Sequence, residues 1–180
     1  DDIIIRSEFS IQNIEKLGPN GVKLKIENYI ANIQLASECW AYQKCSSYEL
    51  EKIHFNRDIS EYLGKIKCID APSQFQPIIL ASLMSASTQG ASEDYDLESL
   101  LDKIERYCFI VYNLLGNKTS HSSKLSKLAH EINSGNTSLS DVTSIIIDEL
   151  EQEDTLINRT GYTDFHKRIA QISHARFMKS

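Results

Sequence analysis

From Lys118 to His130 the chain carries Lys118, His121, Lys124, Lys127 and His130 without a single acidic residue. Ammonium groups at such short spacing are the side chains that neutralise phosphate oxygens, and they do so locally whatever the net charge. A second basic stretch lies in the tail, where Arg159, Lys167, Arg168, Arg176 and Lys179 are opposed only by Asp164. Acidic stretches stand against both, from Glu93 to Asp102 and again at Asp148, Glu149, Glu151, Glu153 and Asp154. Three uses follow from this distribution. The basic faces can meet a nucleic-acid backbone, they can pair with acidic faces of the same chain or a neighbouring domain, or they can simply be solvated.

Other residues have spacings that bring chemistry to mind, each with a plainer structural reading. Arg168 and His174 are separated by five residues, so one could stabilise charge on a phosphodiester while the other moves a proton. The pair resembles the Arg-to-His signature of the helical HEPN ribonucleases, except that Ile169 stands where those enzymes have a polar residue. The alternative is a basic helix end. Glu51 and His54 have the three-residue spacing of a helical di-iron site, but no second Glu-x-x-His accompanies them. His130-Glu131 lacks the second histidine of a zinc protease helix. Gly116-Asn117-Lys118-Thr119 resembles the end of a phosphate loop without having Gly directly before Lys. It follows a helical pattern rather than a strand, so Gly116 reads as a helix cap. No metal ligand set, catalytic residue or cofactor is assigned.

Composition limits what kind of molecule holds these residues. The 180 residues are 41% hydrophobic and 24% charged, which is globular composition sufficient for one substantial core. Seven glycines and three prolines are too few for the turns of an all-β sandwich. A formal charge of −6 argues against a surface wholly given to nucleic acid. No window reaches the roughly 18 apolar residues of a membrane span. The four cysteines, Cys39, Cys45, Cys68 and Cys108, form no CxxC pair and read as reduced thiols packed like small hydrophobes. A cytoplasmic protein without membrane partners is expected. The chain opens on Asp1 rather than methionine, from which a piece of a larger protein is expected.

The elements that must position the basic residues are helical. Leu97, Leu100, Leu101, Ile104, Cys108, Val111 and Leu115 recur at three- and four-residue steps, predicting one helix from Leu97 to Leu115. A helix from about Lys25 to Gln43 carries Ile26, Tyr29, Ile30, Ile33 and Trp40 on one stripe. The turn Gly18-Pro19-Asn20-Gly21 separates it from a short N-terminal element within residues 1–20. Ile59, Tyr62, Leu63 and Ile66 predict a helix closed by Asp70-Ala71-Pro72. Gln76 to Ala86 is apolar on nearly every side and predicts a buried helix with Pro77 in its first turn. Leu125, Leu128, Ala129 and Ile132 predict a helix ending at Asn133-Ser134-Gly135, and Ser138 caps the next, with Asp141 near its start. A final helix is expected from Thr163. The expected fold is all-α, an irregular bundle of six to eight helices forming a single domain over residues 1–180.

Three phrases carry a family resemblance. They are Ile59-Ser60-Glu61-Tyr62-Leu63 followed by Phe75-Gln76-Pro77-Ile78-Ile79-Leu80-Ala81-Ser82-Leu83, then Ile104-Glu105-Arg106-Tyr107-Cys108-Phe109-Ile110-Val111-Tyr112. The third runs from Ser123 to Ile132 through Lys124-Leu125-Ser126-Lys127-Leu128-Ala129-His130-Glu131, with Gly135 and Ser138-Leu139-Ser140-Asp141-Val142 after it. In that order, across residues 24–150, they resemble the helical region of GmrSD-type proteins, bacterial defence nucleases that restrict modified phage DNA. Family members often have arginine within the phrase matched by Phe109-Ile110-Val111-Tyr112. Ile110 stands there instead, so that arginine's role does not carry over. The resemblance implies a whole protein acting as an NTP-dependent endonuclease. Its Asp-Gly-Gln-Gln-Arg motif and its His-Asn-His nuclease domain are both missing from this chain. The implied role is therefore a non-catalytic scaffold or coupling domain whose partners are flanking domains or a partner subunit. DNA is a further expected partner, contacted through Lys118, His121, Lys124, Lys127 and Arg168. The alternatives are a small ribonuclease using Arg168 and His174, or a protein-interaction module.

Overall fold

The computed structural model describes residues 10–44, 55, 57–89, 94–114 and 122–148. Glu51, His54, Gly116, Lys118, His121, Arg168, His174 and the helix expected from Thr163 lie outside the described residues. The chain divides into two compact units, Asp1–Glu38 and Cys39–Ser180. The described residues are α-helical apart from short turns, one 3₁₀ segment and one π segment, and no strand occurs among them. The fold is all-α.

Helix α1 (Ile11–Lys44) contains one break, at Gly18, whose φ of 63° and ψ of 170° are not helical. Helical geometry resumes at Pro19, whose fixed φ and missing N–H suit a first turn. The Gly18-Pro19 turn signal is therefore real, but the second helical run begins at Pro19 rather than near Lys25. Before the break, the Ser10 carbonyl accepts the Asn13 and Ile14 N–H groups at 3.0 and 2.9 Å and starts the first turn.

Within the second unit, α2 (Arg57–Cys68) buries Ile59, Leu63 and Ile66 against α4 (Asp94–Tyr107). Both helices are amphipathic, and α4 turns Leu97, Leu100, Leu101 and Ile104 fully inward. Helix α3 (Gln76–Gln89) follows a 3₁₀ turn (Ser73–Phe75) and packs on both α4 and α5 (Ser122–Asn133). Ile78, Ile79, Ala81, Ser82, Leu83 and Ala86 are all buried, which explains why its sequence shows so little sidedness. Ser82 tolerates this because its hydroxyl donates to the Ile78 carbonyl at 2.7 Å. A last described helix, α6 (139–148), buries Leu139, Val142 and Ile146. The result in this unit is an irregular helical bundle.

One departure concerns the helix expected to run unbroken from Leu97 to Leu115. Its α geometry stops at Tyr107, and Cys108–Leu114 form a π-helix. The wider turn keeps Cys108 and Val111 in the core while Asn113 Nδ2 donates to the Ile69 carbonyl at 3.0 Å. Gln74 Nε2 donates to the Tyr112 hydroxyl in the same region. Two side chains of the π segment thus hold the turn that follows α2, and π turns of this kind mark places where a helix accommodates such a demand. Phe75, Tyr107 and Tyr112 form a three-ring cluster beside these bonds, with centroids 5.7 to 6.1 Å apart.

Candidate functional site

Of the basic residues singled out in the sequence, Lys124 and Lys127 fall within the described structure, on the first half of α5. Leu125, Leu128, Ala129 and Ile132 are buried, and this fixes α5's orientation. The three-residue step then leaves both lysines exposed on one side. The stem of Lys124 lines a small apolar gap of about 20 Å³ with Phe75, Tyr107, Leu125, Leu128, Ile145 and Ile146. An exposed lysine whose methylenes cover apolar side chains is the usual amphipathic use of that residue.

The start of α5 is free of acidic residues, as are those of α1 and α3. That end of a helix carries the positive pole of the dipole and ordinarily favours carboxylates. Lys124 adds positive charge there instead. Lys127 is partly neutralised by Glu131, at 3.6 Å, in an i,i+4 pair that is largely solvent-exposed on the lysine side. His130 lies exposed one turn further on, at the helix end. What this surface can do chemically is attract and hold anionic oxygen.

The C-terminal end of α5 is firmly closed. Gly135 adopts φ 68°, its N–H donates to the Ile132 carbonyl at 3.0 Å, and the Asn136 N–H donates to the Glu131 carbonyl at 2.9 Å. These are the two bonds of a Schellman cap. Ser138 then caps α6: its Oγ accepts the Asp141 N–H at 3.1 Å, and Asp141 Oδ2 accepts the Ser138 N–H at 3.3 Å. The Ser138 hydroxyl also donates to Asp141 Oδ2 at 2.7 Å. Hydroxyl and N–H together hold the Asp141 carboxyl below its ordinary range.

Other candidates are placed as follows. Among the described residues no group of three or more His, Cys, Asp or Glu could hold a metal ion. Cys39 and Cys108 are buried, and burial pushes the Cys108 thiol well above its ordinary range. Cys68 departs from the expectation of a packed small hydrophobe: it is exposed at the end of α2, because the buried stripe of that helix runs through Ile59, Leu63 and Ile66. No described helix is long and apolar enough to cross a membrane.

Sequence reasoning did not anticipate a cavity of about 220 Å³ bounded by Gln43, Lys67, Asp70, Phe75, Gln76 and Ile79, among others. Its rim includes the turn that the π segment holds. Lys67 Nζ donates to the Lys44 carbonyl at 3.2 Å, closing the last turn of α1. Gln43 Oε1 is buried with no hydrogen-bond partner among the described residues. The space is below the 300–1,000 Å³ typical of drug-sized ligand pockets.

Comparison with family models, with curated proteins and with solved structures finds no match.

Proposed function

We propose that this chain is a non-catalytic helical coupling domain of a GmrSD-like phage-defence protein, with α5 facing a DNA backbone. The observation that carries the DNA part is the first half of α5. Helix starts are ordinarily stabilised by acidic side chains, and here the first half of α5 holds no acid and exposes Lys124 and Lys127. Phosphate oxygens are the complement of that combination. The family part rests on the three phrases across residues 24–150. The domain's work in this reading is mechanical: its packed helices set the spacing of catalytic domains elsewhere in the protein, and α5 registers DNA without reading its bases.

Two measurements test the proposal. The 180-residue chain is expected to hydrolyse neither nucleotide nor DNA, and robust turnover of either would refute the coupling role. Its binding to duplex DNA is expected to weaken linearly with the logarithm of salt concentration. Replacing Lys124 and Lys127 together with glutamine should shallow that slope by about two phosphate contacts, roughly 0.9 per contact. A slope unaffected by both substitutions would remove α5 from the interface.

A further inference from the structure

From the cavity beside the turn after α2 we infer a binding site for a free α-amino acid with an apolar side chain, such as leucine or phenylalanine. Every residue lining it belongs to the second unit. Leu63, Ile66, Phe75 and Ile79 supply its apolar floor, each 6% exposed or less. Lys67 and Asp70 line it as well and are exposed, so the charged groups stand at the mouth. An apolar cavity of roughly 150 Å³ admits benzene. The volume of about 220 Å³ therefore takes an aromatic or branched side chain and leaves its polar end at the opening.

Three departures from ordinary structure meet on this one cavity. Asp70 is the one non-glycine residue with positive φ among the described residues, at 54°. Glycine takes that conformation at lower cost, so an aspartate there gives up stability for its side chain, as residues at functional positions do. Gln43, on another wall, keeps its Oε1 buried without a hydrogen-bond partner among the described residues. Native proteins seldom leave an acceptor in that state. The turn itself is held from outside by the π segment, through Asn113 on the Ile69 carbonyl and Gln74 on the Tyr112 hydroxyl. Such π turns recur at functional sites.

The charges at the mouth select the ligand class. The Asp70 carboxylate has no hydrogen-bond or ion-pair partner among the described residues. Lys67 gives one of its three donors to the Lys44 carbonyl, at 3.2 Å, and keeps two. An anion and a cation three residues apart thus flank an apolar floor. A simple amine answers Asp70 and is repelled by Lys67, and a simple carboxylate does the reverse. The α-ammonium and α-carboxylate of an amino acid answer both.

Calorimetric titration of the 180-residue chain tests this. L-Phenylalanine and L-leucine should bind with a Kd of about 1 mM or below, as befits ligands of this size. Phenethylamine lacks the carboxylate and hydrocinnamate lacks the ammonium, so each should bind at least about ten-fold more weakly than phenylalanine. Asp70→Gly should weaken phenylalanine binding at least about ten-fold and leave hydrocinnamate binding unchanged. Its urea midpoint should not fall, which separates a lost ligand contact from a lost fold. Absence of binding by both amino acids at about 10 mM overturns the proposal. So does an Asp70→Gly chain that binds phenylalanine as the native chain does. Phenethylamine or hydrocinnamate binding as tightly as phenylalanine overturns the amino-acid assignment.

Discussion

Asp70 and Gly135 occupy equivalent positions, two residues past the last residue of a helix, and solve the same problem with different chemistry. Each closes a Schellman cap. At Asp70 the N–H donates to the Lys67 carbonyl at 3.1 Å and the next N–H, of Ala71, reaches the Ile66 carbonyl at 3.3 Å. Both residues lie in the left-handed region, at φ 54° and 68°. Only glycine does so without a clash between Cβ and the backbone. Asp70→Gly should therefore raise stability by about 0.5–1 kcal/mol, and Gly135→Ala should lower it by about 1–2 kcal/mol, read from urea denaturation midpoints. A Cβ at Gly135 meets nothing within 4 Å, so the second cost is conformational and not steric crowding by neighbours. Pro72 reinforces the first cap, since the residue before a proline is biased away from helical backbone angles.

Asp141 adds a pH dependence at the same scale. Its carboxyl is held below the usual range first by the Ser138 hydroxyl and then by the Ser138 N–H. A depressed folded-state pKa contributes stability that is present above the unfolded value, near 3.9, and is lost as pH falls through the folded value. The stability difference between the native chain and Asp141→Asn should thus be constant at neutral pH and shrink below about pH 4. A difference that persists unchanged into acid would show that the Asp141–Ser138 pair does not couple to folding.

At the scale of elements, the π segment Cys108–Leu114 explains how one helix serves two masters. Its inner side must keep Cys108 and Val111 in the core, while Tyr112 and Asn113 must reach the turn after α2. A regular α-helix advances 100° per residue and meets only the first demand; the wider π turn meets both. Asn113→Ala leaves the Ile69 carbonyl without its donor and should cost about 1–2 kcal/mol. The loss should be accompanied by faster amide exchange in the turn around Asp70 than in α3, measured by hydrogen exchange. Equal acceleration in both would mean that the bond supports the bundle at large and not this turn.

For the whole molecule, periodicity in the amino-acid sequence was enough to determine an all-α fold and the position of most helices. Leu97, Leu100, Leu101 and Ile104 lie at helical spacing and are all fully buried. Ser138 and Gly135 signal a start and a stop, and both ends fall where those residues stand. Such features are local: spacing along the chain is itself the physical cause, since 3.6 residues per turn bring the side chains to one face. The basic character of α5 was legible for the same reason, and the burial of Leu125 and Leu128 then decided which side Lys124 and Lys127 present. Other features depended on groups far apart in sequence and were decided only by tertiary structure. Asn113 reaches the Ile69 carbonyl 44 residues away, and that bond belongs with a π turn which the apolar repeat of Leu97–Leu115 reads as plain α-helix. The packing of α3 on both α4 and α5 is of the same kind. Apolar periodicity states that a face is fit for burial, but which surface meets it is set by packing between elements, and no spacing within one helix encodes that.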